Sequence, residues 1–181
     1  MHPSTENLLR RYFHAKDENR PHLLTQVFAR DARLEMQVKS NAISFPAVTQ
    51  GRDAIGDVLV CKFGQTYENV YSFYLQRPAP GTVVHQFSCD WLVVMSDKES
   101  RNPRIGCGRY DWQFQAEAPF LVSQLHITIE AMQVLAPDLE STIYAWAASL
   151  PYPWCSAPDI SETAPHMDEL KPVIDYVTRK Q

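Results

Sequence analysis

Apolar residues near the start of the chain recur at helical spacing: Leu8, Leu9, Tyr12 and Phe13 fall on one stripe. Ser4 or Thr5 can cap this helix, which is predicted to run to about Lys16. After the polar turn Asp17-Glu18-Asn19, Arg20-Pro21 opens a short second helix whose inner face carries Leu23, Leu24, Val27 and Phe28. The period then changes from helical to two. Ala32, Leu34, Met36 and Val38 alternate with Arg33, Glu35, Gln37 and Lys39, the pattern of a strand with one wet face. Residues 44 to 48 are too irregular to assign. Gly51 precedes a third helix from about Arg52 to Tyr67, with Ile55, Val58, Leu59 and Phe63 on its inner stripe.

Four β-like runs follow, over 69–76, 83–95, 104–115 and 121–135, separated by turn signals such as Arg77-Pro78-Ala79-Pro80-Gly81. Long strands joined by short connections predict an antiparallel meander, and strands of this length must twist and bend. Gly106 and Gly108 are the expected bending points. A helix from Pro137-Asp138 to Leu150 comes next. The tail from Pro151 holds five of the 13 prolines and reads as an extended wrap, ending in a short helix with Leu170, Val173, Ile174 and Val177. Helices, one strand, a helix and then a meander define an α+β chain.

Three blocks in this order carry a resemblance. Tyr12-Phe13 followed by Phe28-Ala29-Arg30-Asp31-Ala32-Arg33-Leu34-Glu35-Met36 resembles the opening of ketosteroid isomerase and the SnoaL-like group. Gly51-Arg52-Asp53-Ala54-Ile55 resembles the start of that group's third helix, and Gly108 to Phe114 resembles a late strand of its sheet. The resemblance covers about residues 5 to 136. It implies the nuclear-transport-factor-2-like architecture, a cystatin-like cone in which a curved antiparallel sheet wraps around N-terminal helices and encloses a pocket. On that basis residues 1–150 form the cone and 151–181 a C-terminal helical extension packed on the same domain. The fold hosts isomerases, dehydratases, cyclases and non-catalytic domains, so it does not by itself define a function.

Composition narrows the field. The 181 residues are 45% apolar and 11% aromatic, enough for one sizeable core and a lined cavity. The 17 basic and 21 acidic residues are dispersed, without the dense Lys/Arg patch that a phosphate backbone requires, so no nucleic-acid partner is expected. No apolar run approaches the ~18 residues of a membrane span, and the first residues lack a signal-peptide core, which points to a cytoplasmic protein. Cys61, Cys89, Cys107 and Cys155 form no Cys-x-x-Cys pair and read as reduced core residues. There is no Gly-rich phosphate loop, no His-Glu-x-x-His and no zinc spacing, so neither cofactor nor metal is expected.

Within the resemblance, Tyr12 falls on the isomerase's oxyanion tyrosine and Asp111 on its protonated aspartic acid, two hydrogen-bond donors to a developing oxyanion. The proton-moving base falls on Met36, which cannot accept a proton, and neighbouring Glu35 points to the opposite strand face. Period two leaves two registers open for 104–115. Either Cys107, Arg109, Asp111 and Gln113 face the pocket, or Tyr110, Trp112 and Phe114 do, which leaves Asp111 in solvent. His85, among Val83, Phe87 and Trp91, is a further candidate acid or base or a hydrogen-bonded core histidine. His126, Thr128 and Glu130 share a face at ~7 Å intervals, too far apart for a direct pair. Pro153-Trp154-Cys155 fits an apolar plug or a lid over the cone mouth. The expected pocket lining is Tyr12, Met36, Phe63, Phe87 and Trp91. With the base missing, the residues favour binding of a small hydrophobic ligand, with a homodimer through the sheet. The alternative is an isomerase, dehydratase or cyclase working by proton transfer through Tyr12, Asp111 and His85.

Overall fold

The computed structural model describes residues 1–180. Helix α1 (Thr5–Asp17) starts where the Ser4 hydroxyl accepts the Asn7 N–H at 3.2 Å. A 3₁₀ turn (Pro21–Gln26) leads into β1 (Phe28–Val38). A three-residue strand, β2 (Val48–Gln50), occupies part of the stretch that has no readable period. The third helix is one continuous run in three parts: α2 (Arg52–Gly56), a π-helical segment (Asp57–Lys62) and α3 (Phe63–Thr66). The meander is β3 (Tyr67–Tyr74), β4 (Gln86–Asp97), β5 (Pro103–Phe114) and β6 (Val122–Val134). Helices α4 (Glu140–Ser149), α5 (Ala157–Thr163) and α6 (Lys171–Thr178) follow.

The six strands form one sheet in the order β2-β1-β6-β5-β4-β3. All neighbours are antiparallel except β1 and β6, which run parallel from Arg33 opposite Gln124 to Val38 opposite Ile129. The sheet is therefore mixed rather than wholly antiparallel. The helical run 52–66 carries the chain from the β1 edge to the opposite edge, so the meander works back and its last strand lands beside the first. Such a crossover is what a parallel neighbour requires.

The strand alternation sorts the apolar residues into two cores. On the concave face Leu34, Met36, Trp91, Val93, Tyr110, Trp112, Leu125 and Ile127 pack against Leu8, Leu9, Tyr12 and Phe13 of α1 and against Ile55 and Leu59. On the convex face Phe73, Leu92, Val94, Ile105 and Cys107 are covered by Ile143, Trp146, Ile160, Val173 and Val177 of the C-terminal helices. The sheet bends where β6 bulges opposite Cys107 and Gly108. A Cβ at Gly108 would overlap the Thr128 carbonyl oxygen and press on the Trp91 ring, so only glycine permits this approach.

Hydrogen bonds fasten the extension to the rest of the chain, among them those at Asp90 and at the β3 edge. Asp90, buried on the convex face, receives two hydrogen bonds from the Arg179 guanidinium at 3.0 and 3.1 Å and one from the Tyr176 hydroxyl at 3.2 Å. Residues 153–155 pair with the outer edge of β3, with the Tyr74 N–H on Pro153 O at 2.7 Å and the Cys155 N–H on Tyr74 O at 2.9 Å. The Arg10 and Arg77 guanidinium groups pack on the Trp154 ring, 4.4 and 4.9 Å from its centre. Pro153-Trp154-Cys155 thus seals a strand edge, a site otherwise open to pairing with another chain. None of the three residues lines the cavity of the cone.

Candidate functional site

The cone encloses a cavity of about 50 Å³ between α1, the helical run 52–66 and the concave face of the sheet. Tyr12, Met36, Phe63 and Trp91 line it, together with Val93, Met95, Tyr110, Ile127, Ile129 and Met132. Phe87 shares the Trp91 face but stands near the start of β4, outside the lining. Ile43 and Phe45, from the segment between β1 and β2, also line the cavity.

The structure decides the register of β5. Tyr110, Trp112 and Phe114 face the concave core, where Tyr12 meets Trp112 edge-on at 5.1 Å and Tyr110 at 6.0 Å. Asp111 is therefore on the convex face, partly exposed, where it accepts from the Ser88 hydroxyl at 2.6 Å and Arg109 Nε at 3.2 Å. His126 stands beside it at 3.7 Å. His85 is exposed in the loop before β4, where its carbonyl accepts the Phe114 N–H at 3.0 Å. The sheet separates Tyr12 from Asp111, and His85 is not among the lining residues, so the three do not converge on one point. Thr128 is buried and Glu130 holds Lys39 at 2.8 Å, a structural use of that strand face.

A different polar group does reach the cavity. Lys16 follows Tyr12 by one helical turn, so its side chain continues the same stripe. Its ammonium donates to Asp17 Oδ1 at 2.5 Å and to Ser72 Oγ at 2.9 Å, and the Ser72 hydroxyl donates to Asp17 Oδ1 at 2.9 Å. Lys16 and Asp17 are only 7% and 6% exposed, and the ammonium lies 5.0 Å from the Phe63 ring centre and 5.5 Å from that of Phe13. Lys16 and Ser72 line the cavity, and Asp17 stands behind them. Burial raises the Asp17 carboxyl above its ordinary range, against the opposing pull of Lys16 and Ser72. Burial, and then the Asp17 charge, raise the Tyr12 hydroxyl, so it is a neutral donor at every working pH.

Tyr12 and Trp91 line the cavity; Trp91 Nε1 is buried without a hydrogen-bonding protein partner, and the buried Tyr12 hydroxyl has that of Tyr110 as its neighbour. A buried polar group left unpaired costs about 1–3 kcal/mol, so Trp91 Nε1 favours an acceptor. Lys16 adds another donor, since two of its three N–H bonds are engaged. The sequence signal for Lys16 was its spacing from Tyr12, masked by its charge and its place at the helix end. Ser72 carried no such signal. Among the described residues no His/Cys/Asp/Glu cluster could hold a metal ion, and no helix is long and apolar enough to cross a membrane.

Comparison with known proteins agrees with this fold. A nuclear transport factor 2-like superfamily protein from Salmonella enterica serovar Typhimurium LT2 superposes with a TM-score of 0.53 at 15% identity, over 67% of this chain and 85% of that one. The fold is the nuclear-transport-factor-2-like cone. A Catenulispora acidiphila protein with a ketosteroid isomerase-like fold, solved with trimethylamine, gives 0.52 at 16% identity over 69% and 85% of the two chains. A hexachlorocyclohexane dehydrochlorinase, LinA type 2, gives 0.53 at 11% identity over 71% and 84%. At these identities the likeness extends to the fold alone. No family model matches the sequence, and no curated protein matches it.

Proposed function

We propose that this cone binds a small, mainly apolar molecule carrying one oxygen acceptor. The observation that carries the reading is a mainly apolar wall that also holds Lys16, with an N–H to spare, and Trp91, whose buried Nε1 has no protein partner. An apolar enclosure with a few convergent polar groups is the usual form of a small-molecule site. The residues first suited to proton transfer, Asp111 and His85, stand outside it. A second reading, acid–base turnover, has one observation in its favour: the raised Asp17 carboxyl is linked to the lining through Lys16 and Ser72. The protein then works in the cytoplasm on a diffusible compound. Self-association through the sheet is left with the polar strip of the convex face around Arg33, Glu35 and Asp111.

Methyl-labelled methionine reports on the site directly, because Met36, Met95 and Met132 line the cavity while Met1 and Met167 do not. Titration with acetophenone or toluene should move the three cavity methyl signals only, with acetophenone the tighter. Tyr12→Phe should narrow that difference and Asp111→Asn should leave it unchanged. Probes that move no cavity methyl signal refute the reading.

A further inference from the structure

The cavity in its present shape is smaller than any aromatic guest. An apolar cavity that takes benzene has about 150 Å³, and this one has about 50 Å³. Immediately outside it lies a second hollow of about 250 Å³, walled by Pro46, Val58, Lys62 and Tyr67. Ile43, Phe45 and Phe63 line both spaces, so these side chains are the partition between them. Of the three, Phe63 belongs to a helix, while Ile43 and Phe45 belong to the segment between β1 and β2.

That segment is fastened at its ends and free at its tip. The Lys39 N–H donates to Ile129 O, and the Met36 N–H to Ala47 O, both at 2.9 Å. Arg104, itself 3.5 Å from Asp97, donates to the Ala42 carbonyl. Residues 43 to 46 make no hydrogen bond to any described residue and are held by packing alone. Phe45 is half-buried, so swinging it outward gives up part of one side chain's burial and breaks no hydrogen bond. Ile43 is buried and nearer the Arg104 anchor, which makes Phe45 the side chain that moves.

The charge of the guest follows from Lys16 and Asp17. They form a neutral buried pair, with Ser72 closing the triangle. A carboxylate entering beside Lys16 would bring the desolvated site to a net negative charge, with Asp17 in contact with the same ammonium. Like charges sharing a dry site are strongly disfavoured, so a guest carboxylate would have to force a proton onto Asp17 to take its place beside Lys16. A neutral oxygen, in contrast, can accept from the third Lys16 N–H, from Tyr12 or from Trp91 without altering that balance.

We propose that Phe45 is the gate of this cone, that its displacement joins the inner cavity to the outer hollow, and that the molecule admitted is uncharged with its oxygen turned toward Lys16. This rests on the binding function proposed above and adds the ligand's charge class, its route and the residue that limits its size.

The test compares three probes by the same methionine-methyl titration: acetophenone, benzoate of similar shape, and the larger 2-acetylnaphthalene. In the unmodified protein acetophenone should bind at least roughly tenfold more tightly than benzoate. Phe45→Ala should strengthen 2-acetylnaphthalene binding by roughly tenfold, and Phe45→Trp should weaken it relative to the unmodified protein. Benzoate binding as tightly as acetophenone overturns the charge assignment while leaving the binding function standing. Equal 2-acetylnaphthalene affinity in the Ala, Phe and Trp forms overturns the gate. No shift with any probe in any form overturns both the gate and the binding function beneath it.

Discussion

Replacing Lys16 by Met tests the buried pair that organises the site. The substitution keeps most of the side-chain volume and removes the ammonium, so Asp17 is left with the Ser72 hydroxyl as its remaining side-chain partner. Asp17 is 6% exposed, so solvent cannot replace the lost charge. Removing one partner of a buried ion pair costs about 3–5 kcal/mol. With a urea m-value of roughly 2 kcal/mol/M, the denaturation midpoint should fall by roughly 2 M. The pH dependence has a definite sign. Burial already lifts the Asp17 carboxyl above its ordinary 3.8, and loss of Lys16 lifts it further. Between those values the folded state holds a proton that the unfolded state has released, so stability declines as pH rises through the window. The deficit of Lys16→Met should therefore be largest at pH 7.5 and shrink as pH falls toward 4. Pairing it with Asp17→Leu should restore most of the loss at pH 7.5, because neither charge then needs a partner. A deficit below 1 kcal/mol, or one that grows as pH falls, would refute a charged buried pair.

Three further outcomes follow from other parts of the molecule. Arg179→Ala should remove about 1–3 kcal/mol in urea unfolding and speed amide exchange in α6, because buried Asp90 loses its bidentate partner. The lower end reflects the one-third exposure of Arg179. Gly108→Ala should cost more than 3 kcal/mol or prevent folding, since its Cβ meets backbone, whereas Gly81→Ala, with φ +73° and open space, should cost about 1 kcal/mol. In native protein a disulfide reagent should titrate one thiol rapidly, half-exposed Cys61, and the other three only on unfolding. Burial pushes Cys107 and Cys155 up to about 12, and Cys89 higher still, so thiolate is scarce at neutral pH.

Much of the fold was legible because periodicity survives folding. The α1 stripe, the β1 alternation and the long meander all lie where their spacing places them. Strand β2 was not legible, since three residues hold no measurable period. The face of β5 was not legible either, because Gly106 to Phe114 alternates equally well in both registers. It was settled by what covers each face. The C-terminal helices cover Ile105 and Cys107, and α1 supplies the aromatic floor for Tyr110 and Trp112. His85 has the parity of Phe87, but β4 begins only at Gln86, so parity carried the pattern past the end of the strand. Lys16 was passed over for the opposite reason: it was named only as the helix end, while its spacing from Tyr12 places it on the buried stripe.

The same two cores bear on assembly. Aromatic and apolar residues on both faces of the sheet suggested a dimer contact, yet each face has an intramolecular use. The concave set packs on α1 and the convex set under α4 to α6. The convex strip left uncovered is charged and internally paired, with Arg33 on Glu35 at 2.7 Å, Lys39 on Glu130 at 2.8 Å and Arg109 on Asp111 at 3.2 Å. Neutralised surface pairs of this kind contribute little to association. Apart from Met1, the exposed large apolar residues are Val48, Val83, Val134 and Tyr152, which belong to four separate segments. A specific interface buries upwards of about 1,000 Å² around an apolar centre, and no such centre is present on the strip. Sedimentation at tens of micromolar should therefore give a species of 20.7 kDa. A stable species of twice that mass, lost on Arg109→Glu, would show that the polar strip associates in spite of its internal pairing.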